Sequence, residues 1–135
     1  MKIAVVGAHL SGQPLNIQLI ERNGHLVRLA KTAPVYRLYA LANTTPHKPG
    51  LIRTNEPVAS GIEVEVWELA PAEFAAFVEL VPPPLCIGTL ELSDGEKVKG
   101  FLVESYAIQP GAAAQDITST GGWRNYLQSR LDHGK

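Results

Sequence analysis

Short apolar runs in which every second residue is polar recur along the chain and predict β-strands. The clearest is 62–69 (IEVEVWEL), where apolar residues at positions 62, 64 and 66 alternate with Glu63, Glu65 and Trp67. An alternation with period two is typical of a strand with one buried and one solvated face, so we expect both glutamates to face solvent. Further strands are predicted at 2–6, 35–41, 85–92 and 96–107.

The last two predicted strands meet at 93–95 (SDG), a sequence typical of a β-hairpin. A two-residue Asp-Gly turn would pair apolar positions with charged ones. A three-residue loop, with Gly95 in the left-handed conformation of a bulge, restores the alternation. We therefore expect Leu90 to lie opposite Val98.

Helical patterns are fewer than strand patterns. Pro14 suits the first turn of a helix that runs to about Asn23. Apolar residues at 74, 77, 78 and 81 predict a second helix over 71–81, and a third is predicted over 122–131. The segment 44–50 (TTPHKPG) contains two prolines and is expected to be an irregular loop. The sum is an α+β fold, a small mixed β-barrel-like sheet with about three short flanking helices.

Composition indicates one globular domain without an electrostatic preference for polyanions. A chain of 135 residues, 45% of them apolar, is expected to form a single domain over 1–135, with 109–135 as its C-terminal loop, helix and tail. Twelve basic and 13 acidic residues give a net charge of −1, so neither nucleic acid nor membrane is an expected partner. No apolar run resembles an export signal, and we expect a cytoplasmic protein. The single cysteine, Cys86, excludes an intramolecular disulfide.

Candidate chemistry lies in the loop 7–12 (GAHLSG), between the first strand and the helix predicted at Pro14. Backbone N–H groups and the helix dipole at such a junction attract an anion. His9 stands where the dinucleotide motif needs glycine, and the phosphate-loop Gly-Lys-Ser/Thr is also missing. We therefore expect a carboxylate ligand. His9 can exchange a proton near neutral pH, although a purely structural histidine is the alternative.

Other side chains suggest less chemistry. His25, His47 and His133 show no metal-ligand spacing, so neither a metal nor a cofactor is expected. Cys86 fits a small buried apolar position better than a nucleophile. Glu104 shares a strand face with apolar residues and is a candidate for a partly buried carboxylate.

Six collinear segments carry a resemblance to a known family: GAHLSGQPLN (7–16), TAPVYRLYAL (32–41), KPGLIR (48–53), IEVEVWEL (62–69), the segment 84–104 (PLCIGTLELSDG and KVKGFLVE) and the segment 116–127 (DIT and GGWRNYL). Together they resemble the C-terminal domain of allophanate hydrolases. The resemblance implies the gamma-glutamylcyclotransferase fold, a small mixed barrel with flanking helices.

The resemblance also implies a reaction. In allophanate hydrolase an N-terminal amidase domain releases ammonia from allophanate, and the C-terminal domain is associated with the next step, decarboxylation of N-carboxycarbamate toward ammonia and carbon dioxide. The amidase with its Ser–Ser–Lys triad is absent here. The chain is therefore expected to be a stand-alone relative or an excised domain that does not hydrolyse allophanate unaided.

On this basis we expect a protonated His9 to be the catalytic acid, which delivers a proton to nitrogen as carbon dioxide departs. A small dianionic substrate would be bound by the surrounding loop, with Tyr36 as a wall of the site. The expected binding residues are Gly7, Ala8, Leu10, Ser11, Gly12, Gln13, Pro14, Asn16 and Tyr36.

Alternatives remain open at this point. The Tyr-Gly-Ser motif of cyclotransferases would fall at Val6-Gly7-Ala8 and their catalytic carboxylate near Val81, with Glu79 the nearest acid, so glutamyl cyclisation is the least favoured activity. The domain is alternatively a non-catalytic module that binds a small dicarboxylate or docks with a separate amidase subunit. A homodimer is a further expected partner arrangement.

Overall fold

The computed structural model describes residues 1–133, which form two β-sheets and three α-helices. The larger sheet has the strand order β2-β5-β1-β7-β6, and the smaller has the order β4-β3-β8. The strands are β1 (Lys2–Val5), β2 (His25–Lys31), β3 (Tyr36–Ala40), β4 (Pro49–Arg53), β5 (Glu63–Glu68), β6 (Leu85–Glu91), β7 (Lys97–Val103) and β8 (Gln115–Asp116). The helices are α1 (Ile17–Ile20), α2 (Pro71–Val78) and α3 (Trp123–His133).

The central strand β1 positions the loop that follows it. Ile3, Ala4 and Val5 have no exposed surface. The strand pairs antiparallel with β5 on one side and parallel with β7 on the other. A strand enclosed in this way reads as a continuous apolar run, as residues 3–6 do. The chain therefore leaves β1 in the interior of the fold, and residues 6–10 are all buried.

The predicted hairpin between β6 and β7 is confirmed. Leu90 lies opposite Val98, and Gly95 has a φ of +93°. The N–H of Gly95 donates to the carbonyl of Leu92 (2.9 Å), which closes the three-residue loop.

The two edges of the larger sheet approach each other at one point. Thr32 and Leu92 form an isolated antiparallel bridge, and the N–H of Ser93 donates to the carbonyl of Lys31 (2.8 Å). The N–H of Ala33 also donates to the carbonyl of Glu91 (2.9 Å), but no continuous ladder joins β2 to β6 among residues 1–133, so the sheet curls without closing into a barrel.

Several elements differ from those predicted. The strand β2 was missed because its pattern is irregular: Leu26, Val27 and Leu29 are all at least 44% exposed. The strand β4 begins at Pro49, inside the segment predicted to be a loop. The helix α1 has four residues instead of ten, because the residues before it form successive turns. Among the described residues, no helix has the length and hydropathy to cross a membrane.

Candidate functional site

The imidazole of His9 is buried among aromatic rings in the turn after β1, and the side chain is only 5% exposed. It stacks on Phe101, with ring centroids 4.8 Å apart, and meets Phe77 edge-on at 5.2 Å. Its Nε2 lies 2.9 Å from Oε1 of Gln18, which α1 presents to it. The amide of Asn16 donates to the backbone carbonyl of His9 (2.9 Å). The ring therefore has one defined orientation.

The protonation state of His9 differs from the one expected from the sequence. Burial lowers the pKa of His9 to about 4; the hydrogen bond with Gln18 opposes this shift, and the positive charge of Lys48 adds to it. The imidazole is therefore neutral near pH 7, because an apolar surrounding disfavours its charged form. Without a ligand the pocket holds a neutral imidazole, whereas the sequence suggested a protonated one.

A small cavity of about 10 Å³ adjoins the ring, which is room for about one water molecule. Lys48 lines it and is only 8% exposed. Within residues 1–133 its ammonium forms no ion pair and donates no side-chain hydrogen bond. A positive charge on the cavity wall without a counter-charge in the protein attracts an anion, so this position suits one. The cavity is lined by Val6, Gly7, Ala8, His9, Lys48, Pro49, Leu85 and Phe101.

Gly7 is required by the close approach of two segments at this cavity. A Cβ atom at position 7 would lie 2.2 Å from Cδ of Pro49, at the start of β4. The absence of a side chain therefore lets the smaller sheet pack directly against the loop that holds His9, and it brings Lys48 to the same cavity.

The other side of the loop holds a carboxylate of the protein itself. Oε1 of Glu65 accepts hydrogen bonds from the N–H of Ser11 (2.8 Å), the hydroxyl of Ser11 (2.9 Å) and Nε1 of Trp67 (3.1 Å). Nη2 of Arg124 donates to Oε2 of Glu65 (2.9 Å). The prediction that Glu65 faces solvent was wrong, since only 3% of it is exposed. The loop and α3 cover this face of β5.

Glu65 remains ionised in this environment. Burial acts to raise the pKa of its carboxyl, but the hydrogen bonds from Ser11, Trp67 and Arg124 outweigh burial and hold the pKa below its usual range. The anion that Ser11 binds in this structure is therefore Glu65.

Three of the predicted binding residues lie at or beside the cavity of His9, and the others lie elsewhere. Gly7 and Ala8 line the cavity, and Asn16 supports His9 from behind. The N–H groups of Leu10 and Gln13 donate to backbone carbonyls within the loop. Gly12 and Pro14 are exposed, and Gln13 is half-buried.

Tyr36 serves another part of the fold. It is 1% exposed, and its hydroxyl accepts a hydrogen bond from the N–H of Glu91 (2.9 Å). Among the described residues it is not one of those that line the His9 cavity.

A second, larger cavity of about 340 Å³ lies beyond Glu65. None of the residues that line it lines the cavity of His9. Its walls are Leu10, Leu29, Ala30, Lys31, Glu63, Val64, Glu65, Ser93, Trp123 and Arg124.

Comparison with known proteins identifies the family. The family model described as "Allophanate hydrolase C-terminal domain" matches residues 1–128. The chain belongs to this family. The urea amidolyase of Lachancea kluyveri is 44% identical to this chain over 129 residues. The match covers 94% of this chain and 7% of that protein.

Solved structures of family members agree. The allophanate hydrolase of Kluyveromyces lactis is 43% identical with a TM-score of 0.88, over 95% of this chain and 21% of that one. A protein specific to uropathogenic E. coli is 35% identical with a TM-score of 0.84, over 94% of both chains. The predicted gamma-glutamylcyclotransferase-like fold is confirmed, with two open sheets in place of a closed barrel.

The carboxylates considered for cyclotransferase chemistry do not reach this site. Glu79 follows α2 and is exposed, and Glu104 follows β7 and is exposed as well. Neither lines the His9 cavity. The titratable side chains that line this cavity are those of His9 and Lys48. From the sequence, Lys48 is a cationic candidate beside a loop, but it was not assigned to this site because an ordinary surface charge explained it better.

Proposed function

We propose that this domain decarboxylates N-carboxycarbamate, or a similar small N-carboxy dianion, in urea catabolism. The observation that carries the proposal is the pairing of buried His9 with buried Lys48 on one cavity. Membership of the allophanate hydrolase C-terminal domain family supports the choice of substrate. The chain spans about 7% of the length of the urea amidolyase it matches, so the amidase step belongs to another protein or to a further part of a longer chain.

Lys48 binds one carboxylate of the substrate in this proposal. Lys48 is 8% exposed as a residue, and its ammonium has no counter-ion among the ion pairs of residues 1–133. The dianion would supply the missing negative charge, and an ion pair in a dry site is stronger than one in water. The backbone at Gly7 and Ala8 forms the facing wall.

The cavity must widen to admit a dianion, because it now has room for about one water molecule. The residues on its outer wall suit this movement. Leu85 is only half-buried, and Lys48 carries a flexible stem with four methylene groups.

His9 supplies the proton once the substrate is bound. A negative charge beside the ring favours its charged form and raises its pKa from about 4, so His9 takes up a proton as the dianion enters. The bond between nitrogen and one carboxylate carbon then breaks, and its electron pair stays on nitrogen. Nitrogen accepts the proton from His9 and carbon dioxide leaves. The carbamate that remains takes up a second proton, from water, and breaks down to ammonia and carbon dioxide.

The direct test generates N-carboxycarbamate in place with a separate allophanate-hydrolysing amidase and follows carbon dioxide release. We expect the wild-type chain to accelerate release, and Lys48→Met and His9→Ala to lose most of the acceleration. Lys97→Met, at an exposed position on β7, is the matched control and should behave as wild type. Unchanged acceleration in His9→Ala would contradict the proposal.

A non-catalytic module is the second candidate, favoured by the fact that relatives carry this domain inside much longer chains. In that case the domain binds a small dicarboxylate or docks with a separate amidase subunit. Binding of malonate without any acceleration of carbon dioxide release would support it. A homodimer and a cytoplasmic location stay predictions from the sequence.

A further inference from the structure

The residue two positions after His9 is fixed at all three of its polar groups. The N–H and the hydroxyl of Ser11 donate to Oε1 of Glu65, at 2.8 and 2.9 Å. Its carbonyl accepts from Nη2 of Arg124 at 2.7 Å, and the same nitrogen donates to Oε2 of Glu65 at 2.9 Å. Ser11, Glu65 and Arg124 therefore form a closed ring of hydrogen bonds, which we call the Ser11 clamp.

The Ser11 clamp joins parts of the chain that are distant in sequence. Glu65 lies on β5 and Arg124 in the first turn of α3, while Ser11 belongs to the loop after β1. Trp67, two residues along β5, adds a third donor to Oε1 of Glu65 at 3.1 Å. The larger sheet, the last helix and the His9 loop thus have one common attachment point.

The charge at position 65 is stabilised by the donors around it, which outweigh the cost of burial. Glu65 is 3% exposed, and taking a carboxylate out of water costs free energy that its partners must offset. What the carboxylate provides beyond packing is a defined direction for the backbone at Ser11.

The Ser11 clamp acts on the loop from the side opposite to the imidazole. On the near side, His9 is held through its carbonyl by Asn16 and through Nε2 by Gln18. We propose that Glu65 and Arg124 are positioning residues for His9, which fix its loop through Ser11 so that the imidazole stays sealed against Phe101. This inference rests on the proposed function for the reaction that His9 performs.

Release of the Ser11 clamp has a specific expected effect on the imidazole. If the loop moves away from Phe101, water reaches the ring, and the burial that lowers the pKa of His9 to about 4 is reduced. The pKa of His9 should then rise toward its ordinary value. Lys48 is attached to a different strand and keeps its place, so carboxylate binding should change little.

The experiment compares Glu65→Gln with Glu63→Gln in the full chain. Glu63 lies on the same strand, is exposed and has no side-chain partner among residues 1–133, so it is the matched control. Glu65→Gln keeps the shape of the side chain and removes its charge. We expect kcat for carbon dioxide release to fall about tenfold with little change in KM, since a small misplacement of a reacting group is enough for such a loss. NMR titration should show a raised pKa of His9 in Glu65→Gln alone.

The outcomes separate positioning from a merely structural role. A lower melting temperature in Glu65→Gln, with kcat and the pKa of His9 unchanged, would overturn the inference. If the wild-type chain itself does not accelerate carbon dioxide release, the proposed function fails. The His9 titration then decides the positioning by itself, since a raised pKa in Glu65→Gln supports it and an unchanged pKa overturns it. Ser11→Ala, which removes only the hydroxyl bond, should give a smaller shift in the same direction.

Discussion

Lys48 lies on the wall of the cavity that contains His9, and the charge of its ammonium adds to burial in lowering the pKa of the imidazole. The two side chains come from different sheets, His9 from the loop after β1 and Lys48 from the residue before β4. The positive charge of Lys48 disfavours a positive charge on the imidazole. A negatively charged ligand between the two side chains would offset this repulsion and favour the protonated imidazole.

Lys48→Met is the first prediction, and it concerns ligand binding. Removing the ammonium should weaken the binding of malonate by at least about tenfold, because one partner of a desolvated ion pair is lost. The pKa of His9 in the ligand-free variant should rise, since a nearby positive charge has been removed. Calorimetry measures the first effect and NMR titration the second. Equal malonate affinity in Lys48→Met and Lys97→Met would show that Lys48 does not bind the carboxylate.

The second prediction concerns stability against pH. The folded chain has its His9 pKa at about 4, below the ordinary value of 6.5, so the unfolded chain binds more protons between these two values. The free energy of unfolding should therefore fall as the pH is lowered from about 6.5 to 4, by about 3 kcal/mol from His9 alone.

His9→Phe tests this pH dependence, because phenylalanine fits between the same rings and does not titrate. Urea unfolding at several pH values should show a weaker loss of stability for His9→Phe than for wild type. His25→Gln, at an exposed position, is the control and should follow wild type. Parallel curves for wild type and His9→Phe would contradict the buried neutral imidazole.

The third prediction concerns the contact between the two sheets at Gly7. A methyl group at this position would lie 2.2 Å from Cδ of Pro49, and both atoms belong to stiff parts of the chain. Gly7→Ala should lower the free energy of unfolding by roughly 1–3 kcal/mol, as overpacking does. Thermal unfolding measures the loss, and Ser60→Ala, at an exposed position, should show none.

The fourth prediction separates Tyr36 from the site. Tyr36 is the first residue of β3, and its hydroxyl accepts a hydrogen bond from the N–H of Glu91 at the end of β6. Tyr36→Phe should therefore lower the free energy of unfolding by about 1 kcal/mol. Malonate affinity should not change. A loss of affinity in Tyr36→Phe would restore the residue to the role that the sequence suggested.

Local patterns predicted the parts of the fold whose partners are near in sequence. The register of the β6–β7 hairpin was predicted correctly, because Gly95 and the alternation on both sides of it determine it, although β7 ends at Val103 and not at Ala107. His9 is a candidate for the same reason, since it lies in the loop that follows an apolar strand, and its role stays a prediction.

The positions of Glu65 and Lys48 depend on contacts with residues distant in sequence, which the local pattern of apolar and polar residues does not contain. The alternation around Glu65 is that of an ordinary surface strand, and only the loop at Ser11 and the helix at Arg124 convert its polar face into an interior one. These partners lie 54 and 59 residues away in sequence. Lys48 likewise becomes part of the site only when β4 packs against Gly7.

The central place of β1 determines which wall of the site can yield. Its ladders to β5 and β7 fix the chain up to Val5, and the hydrogen bonds of Ser11 and Asn16 hold the loop that follows, so this wall is anchored from both ends. The opposite wall is formed by Lys48 and Pro49 at the start of the smaller sheet and by Leu85 at the start of an edge strand, where fewer ladders resist movement. We therefore expect guest molecules to enter past Lys48, Pro49 and Leu85, so that these side chains, and not the histidine, set the upper limit on their size.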